Sequence, residues 1–158
     1  MKYFITIVLF GAVLFSYFNS NITWYKHLFS GESEHWTATF SSVSHVLETD
    51  QEKPQNQHLV KYMTKNKLKL TFKGSLEQLG THLRYSYEHH AIGGSASDRK
   101  SNKSTFHYKV FTSSGGSGGE MYYPKDMEFI PVHIEEGETI PVKIEWDGKT
   151  ETLTLKKQ

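Results

Sequence analysis

Two runs of alternating apolar and polar residues, Thr139–Trp146 and Lys149–Lys156, meet at Asp147-Gly148 and constrain the fold more than any other feature. Asp-Gly is a strong two-residue hairpin signal, because both central positions of a type I′ turn need positive φ. The hairpin pairs Trp146 with Lys149, Ile144 with Glu151, Val142 with Leu153 and Ile140 with Leu155. Cross-strand partners share a sheet face. Ile140, Val142, Leu153 and Leu155 therefore form one apolar block, with Thr152 and Thr154 outward opposite Lys143 and Pro141. A one-residue slip would scatter that block over both faces, so the register is well specified.

The same period of two recurs along the chain. His35–Val46 alternates Trp36, Ala38 and Phe40 with Thr37, Thr39 and Ser41, and Lys67–Lys73 alternates Leu68, Leu70 and Phe72 with polar residues. Thr81–His89 does so through Leu83, Tyr85 and Tyr87, and Thr105–Thr112 through Phe106, Tyr108 and Val110. His58–Thr64 and Met127–Ile134 are further strand candidates, with a turn at Asn66. Asp50–Gln57, Ala91–Ser104 and the SSGGSGG run Ser113–Gly119 read as loops. Ser75 and Gln78 suit a short capped turn that Gly80 ends. Pro131 and Pro141 cannot donate to a ladder and belong at edges or bulges.

Seven to eight strands without a long amphipathic helix predict an all-β, antiparallel immunoglobulin-like sandwich; a small up-and-down or Greek-key barrel is the alternative. Trp36, Trp146, Phe40, Phe72, Tyr85, Tyr87, Phe106 and Tyr108 are the expected large core residues.

Upstream of the strands, Tyr3–Phe18 is almost wholly apolar behind Lys2. The charged start and apolar run suit a signal peptide, but Ser16-Tyr17-Phe18 and Phe18-Asn19-Ser20 each place a bulky Phe where cleavage needs a small residue. A spanning helix wants about 20 apolar residues. Ile22, Trp24 and Tyr25 extend the segment, and aromatic rings suit the water–lipid boundary. The expectation is a hydrophobic N-terminal helix retained as a signal-anchor over 1–25, a short linker over 26–34 and an ectodomain over 35–158. The chain would then cross the cell membrane once, with its C-terminal domain outside. Secretion after cleavage is the alternative.

Composition narrows the partners. The chain has no cysteine, so it holds no disulfide framework and no thiolate chemistry. Beyond residue 25 it carries 17 basic and 17 acidic residues. That balance argues against nucleic-acid binding, which needs a concentrated basic face, and gives no polybasic membrane patch.

The pattern Gly31-Glu32-Ser33-x-x-Trp36, then Tyr85-x-Tyr87-Glu88, a Ser/Gly-rich loop and a closing IPVKIEWDGKTETLTLK resembles small exported proteins of Bacillus-type bacteria. The resemblance covers about 30–158. Those proteins are often lipoproteins without an assigned activity. It implies an extracytoplasmic location and a β-sandwich, and hands over no catalytic residues. The lipobox cysteine is missing here, which leaves the apolar segment as the anchor.

No spacing selects a catalytic, cofactor or metal site. Nine histidines include His82, His89-His90, His107 and His133, but adjacent residues on a strand point to opposite faces, and a metal needs three or four converging ligands. They read as surface histidines. SSGGSGG is followed neither by a helix pattern nor by a P-loop Lys-Ser/Thr. Rigid sandwiches carry recognition on loops, so Ala91–Ser104 and Ser113–Met121 are the expected contact surface. Its candidate residues are His89, His90, Asp98, Arg99, Lys100, Ser114, Ser117, Tyr122 and Tyr123. The expected function is binding, with the membrane reached through the N-terminal segment and an envelope protein or wall polymer as partner. A metal-binding or hydrolytic ectodomain is the competing class. Intact mass of the mature chain tests the anchor: residues 1–25 are expected to be retained, and a chain starting near Asn19 or Asn21 would sink that reading.

Overall fold

The described residues form eight strands and one helical turn: β1 (Ile22–Glu32), β2 (Trp36–Lys53), β3 (Gln57–Phe72), α1 (Leu76–Leu79), β4 (His82–His89), β5 (Ile92–Arg99), β6 (Val110–Pro124), β7 (Thr139–Trp146) and β8 (Lys149–Lys157). The computed structural model describes residues 22–53, 56–89, 92–99, 106, 108–132 and 134–158. The apolar segment Tyr3–Phe18 and the residues His90, Lys100, His107 and His133 lie outside these. Among the described residues no helix is long and apolar enough to cross a membrane.

All strand pairs are antiparallel, within one sheet of order β5-β4-β7-β8-β1-β2-β3-β6. The strands at the two ends of that order, β5 and β6, touch each other, so the sheet curls around a shared interior. The chain is therefore all-β and antiparallel, as the alternation predicts.

The C-terminal hairpin has the expected register, from Trp146↔Lys149 to Ile140↔Leu155. Asp147 and Gly148 both take positive φ, 45° and 73°. Ile140, Val142, Leu153 and Leu155 are buried, whereas Thr152, Thr154, Lys143 and Pro141 face solvent. The short turn after Ser75 also forms. Its backbone N–H donates to Gln78 Oε1 at 2.9 Å, and Gly80 closes the helix at φ 69°.

Several expected loops are strands instead. The linker expected over 26–34 lies mostly within β1, which also takes in Ile22, Trp24 and Tyr25. The turn expected at Asn66 does not occur, since β3 runs straight through it, paired with Ser42 of β2 and Gly115 of β6. Much of Ala91–Ser104 is β5, laid against β4. SSGGSGG lies inside β6, matched residue for residue to β3. Backbone hydrogen bonding to an existing long edge outweighs the weak strand propensity of Gly and Ser. Met127–Ile134, expected as a strand, holds none among its described residues.

Parity also changes near residue 109. Phe106 is buried as expected, but Tyr108 is 47% exposed and Val110 is exposed, while Phe111 turns inward. The chain bends at Lys109, whose carbonyl accepts from the Phe72 N–H at 2.9 Å, and this resets the alternation.

The interior is built around Trp36 of β2 and Trp146 of β7, whose rings meet edge to face at 5.5 Å, with Phe72 against both. Phe40 meets Tyr87 across the same space at 5.5 Å. Burying each such ring contributes roughly 1.5–3 kcal/mol. Beyond Phe40 and Leu68 the inner face carries a polar stretch, where buried Ser44 and Thr64 share a hydrogen bond of 2.8 Å, before buried Val46 and Val60. The long strands β2 and β3 thus extend past the aromatic core.

Only two residue pairs, Phe29↔Lys157 and Ser30↔Lys156, join β1 to β8, extended by the Gln158 N–H donating to the Leu28 carbonyl at 2.9 Å. Gly31 makes this seam possible, because a Cβ there would fall on the backbone carbonyl of Thr154. Gly31→Val is expected to lower stability by about 1–3 kcal/mol through forced separation of the strands. Gly115→Ala, whose added methyl meets nothing within 4 Å, should stay within about 0.5 kcal/mol of the parent. Urea unfolding of the full chain in a neutral detergent measures both; equal effects would refute the close-approach argument.

Candidate functional site

Inward residues of β2 and β3 alternate with outward ones, and the outward set forms regular rows across four strands. Trp24, His45, Met63 and Gly118 lie abreast; Lys26, Val43, Lys65 and Gly116 follow. Next come Leu28, Ser41, Lys67 and Ser114, then Ser30, Thr39, Lys69 and Thr112. An open groove of about 980 Å³ lies over the first three rows, lined among others by Trp24, Val43, His45, Met63, Lys65 and Gly116. Its β6 side is low because Gly116 and Gly118 carry no side chain, so Met63 and Lys65 of β3 stand uncovered.

Two properties distinguish this face. Large apolar groups lie open on it: Trp24 is 62% exposed and Met63 49%, and Trp24 meets His45 edge-on at 4.4 Å. It is also basic. Lys26, Lys65, Lys67 and Lys69 share the four rows with no acidic side chain, and the nearest carboxylate along β6, Glu120, pairs with Lys61 at 2.9 Å. A chain whose charges balance beyond residue 25 thus concentrates positive charge on one face.

A second cluster sits where the β1–β2 turn meets β8. Glu151 accepts from Ser33 Oγ at 2.5 Å and from the His35 backbone N–H at 3.3 Å, and His35 Nδ1 contacts its other oxygen. From the far side, Lys73 Nζ reaches the Ser33 carbonyl at 2.6 Å and Glu32 at 3.1 Å. The His35 ring lies over Phe72 and Trp146. Burial opposes ionisation of Glu151, but the hydrogen bonds from Ser33 and His35 outweigh it and hold the carboxyl below its ordinary range.

Ligand atoms of Glu34, His35 and Glu151 lie within 4.8 Å of one another, the spacing a metal would need. Both Glu151 oxygens already take protein contacts, so hydrogen bonding accounts for this grouping without calling on an ion. Ser33 donates to the carboxylate rather than to an imidazole, so the Ser–His arrangement of an activated nucleophile is not made in this cluster. The cluster is a clamp closing the turn above Trp36. His35 is half-buried and His58 buried, which corrects the reading of all the histidines as surface groups; His82 is exposed as expected.

The described expected contact residues lie on strands rather than loops. His89, Asp98 and Arg99 belong to the β4–β5 hairpin at one end of the strand order. Ser114, Ser117, Tyr122 and Tyr123 lie on β6 at the other end, and of these Ser114 and Ser117 line the groove. Tyr123 instead packs on Phe129 at 5.3 Å. Sequence reasoning missed Trp24, His45, Met63 and the lysines. The spacing Lys65-x-Lys67-x-Lys69 was a legible signal for one basic face, but the near-neutral total masked it.

No family model, curated protein or solved structure matches the chain.

The clamp yields a pH dependence. Because the folded pKa of Glu151 is depressed, its contribution is fully present above the ordinary glutamate value of about 4.3 and is lost as pH falls through the folded value. At pH 7, Glu151→Ala is expected to cost about 1.5–3 kcal/mol, typical of hydrogen bonds to a charged group. The difference between parent and variant should shrink as pH falls from about 5 to about 3. Urea unfolding across that range checks this, and a pH-independent difference would refute it.

Proposed function

We propose that the chain is an extracytoplasmic binding module, tethered to a membrane by Tyr3–Phe18, and that the outer face of β1, β2, β3 and β6 is its recognition surface. The observation that carries this reading is the open groove, where Trp24 and Met63 stand exposed on the outside of a regular sheet, with exposed Leu28 on the same face. Clustered exposed apolar groups rimmed by polar residues mark interaction sites more often than solvated faces do. The groove floor is hydrogen-bonded strand rather than loop, so a ligand meets a surface that is already organised.

The finer architecture is proposed on the same footing. The halves β5-β4-β7-β8 and β1-β2-β3-β6 meet through Trp36–Trp146 and Phe40–Tyr87, in the manner of the two layers of an immunoglobulin-like sandwich. The partner proposed is the envelope outside the membrane. A hydrolytic role receives no support from the Ser33–His35–Glu151 cluster, whose groups are engaged with one another.

Trp36 and Trp146 are buried and Trp24 is exposed, so tryptophan fluorescence reports on the groove. Adding wall fragments from the host cell to the full chain in neutral detergent is expected to shift emission to shorter wavelength. Trp24→Ala should abolish the shift and weaken co-sedimentation with the fragments about tenfold, the equivalent of 1.4 kcal/mol. Undiminished co-sedimentation of Trp24→Ala would overturn the assignment of this face.

A further inference from the structure

We propose that the groove takes an anionic polysaccharide that follows the β3 lysines and crosses toward β1, with a sugar ring against Trp24. This rests on the reading of the outer face as the binding surface, and adds the chemistry of the occupant.

The charge pattern selects a polymer. Alternate residues on a strand are roughly 7 Å apart, so Lys65, Lys67 and Lys69 form a ladder with that repeat. Lys26 stands two strands away from Lys65, roughly 10 Å across the sheet. These separations lie near the physiological Debye length of about 8 Å, so the fields of neighbouring lysines add. They are too wide for a small anion to touch all four. An extended chain with repeated negative charge can meet each in turn and release counterions as it binds.

The remaining groups select the kind of polymer. Single-stranded nucleic acid is held by successive aromatic platforms, one base to each. Across these rows Trp24 is the sole Phe, Tyr or Trp, and it lies on β1, two strands across from the ladder and one row beyond Lys65. Around Lys67 and Lys69 stand hydroxyls instead: Thr39, Ser41, Thr112 and Ser114. Hydroxyls exchange hydrogen bonds with sugar hydroxyls in both directions. The indole presents its negative π face to the C–H face of a sugar ring.

Calorimetric titration of the full chain in neutral detergent uses polygalacturonate as the anionic probe, dextran as the uncharged one and oligothymidylate as the base-bearing polyanion. Polygalacturonate is expected to bind at least tenfold more tightly than dextran and than oligothymidylate of equal charge. The triple variant Lys65→Gln/Lys67→Gln/Lys69→Gln should lose at least tenfold in affinity and flatten the log–log salt slope by about two. The matching triple arginine variant should retain affinity, which separates lost charge from lost fold. Lys149→Gln, on β8, should change nothing. Dextran binding equal to polygalacturonate, tighter oligothymidylate binding, or an undiminished triple glutamine variant would each overturn the proposal. If Trp24→Ala still loses wall fragments in that case, the binding face stands and its ligand is of another class. If neither variant loses binding, both readings fall.

Discussion

The two halves of the sheet communicate through the aromatic contact of Trp36 with Trp146 and Phe72, and the rest of the structure depends on it. The ladder between β1 and β8 is only two residue pairs long, too few to set the curl. Side-chain burial must therefore hold β2 against β7. Everything near Trp36 supports that contact. Gly31 lets β1 lie close on β8, and the Ser33–Glu151 and His35–Glu151 contacts shut the turn above it. Lys73 grips the same turn from the end of β3. Within the Gly31–Trp36 motif, Gly31 allows the close approach to β8, Ser33 donates to Glu151 and Trp36 enters the core.

Away from this centre the sheet is governed by backbone pairing. β2 and β3 run past the aromatic core, and beyond Phe40 and Leu68 their inner face carries buried Ser42, Ser44 and Thr64 before buried Val46 and Val60. Their continuation is supported by β1 on one side and the glycine-rich β6 on the other. A strand with few side chains supplies hydrogen bonds to β3 without covering its outer face. The groove and the exposed lysine ladder are consequences of that arrangement, and so is the open position of Met63.

Legibility in the sequence followed the source of each element's stability. The β7–β8 hairpin was readable to the residue, because a positive-φ turn and an apolar alternation specify the same register locally. Trp36, Phe40, Tyr85 and Tyr87 were placed correctly for the same reason. SSGGSGG was not readable as a strand, since its pairing partner is β3, about fifty residues earlier, and glycine carries no alternation. Tyr108 and Phe111 exchanged places because a bend at Lys109 resets parity, and that bend is fixed by a hydrogen bond from Phe72. The groove escaped notice because its residues come from four separate strands, and Trp24 was assigned to a membrane boundary.

By itself the sequence determined an all-β antiparallel chain, its strongest registers and most of its large core residues, since these rest on periodicity and local turn chemistry. Tertiary structure alone decided that eight strands join in one curled sheet. It also turned Glu151, remote in sequence, into the clamp on Ser33 and His35, and placed four lysines of a chain with a net charge of only +1 on one face. The reason is physical. Charge balance and local pattern are sums along the chain, whereas a binding face is set by cross-strand register between segments that only folding brings together.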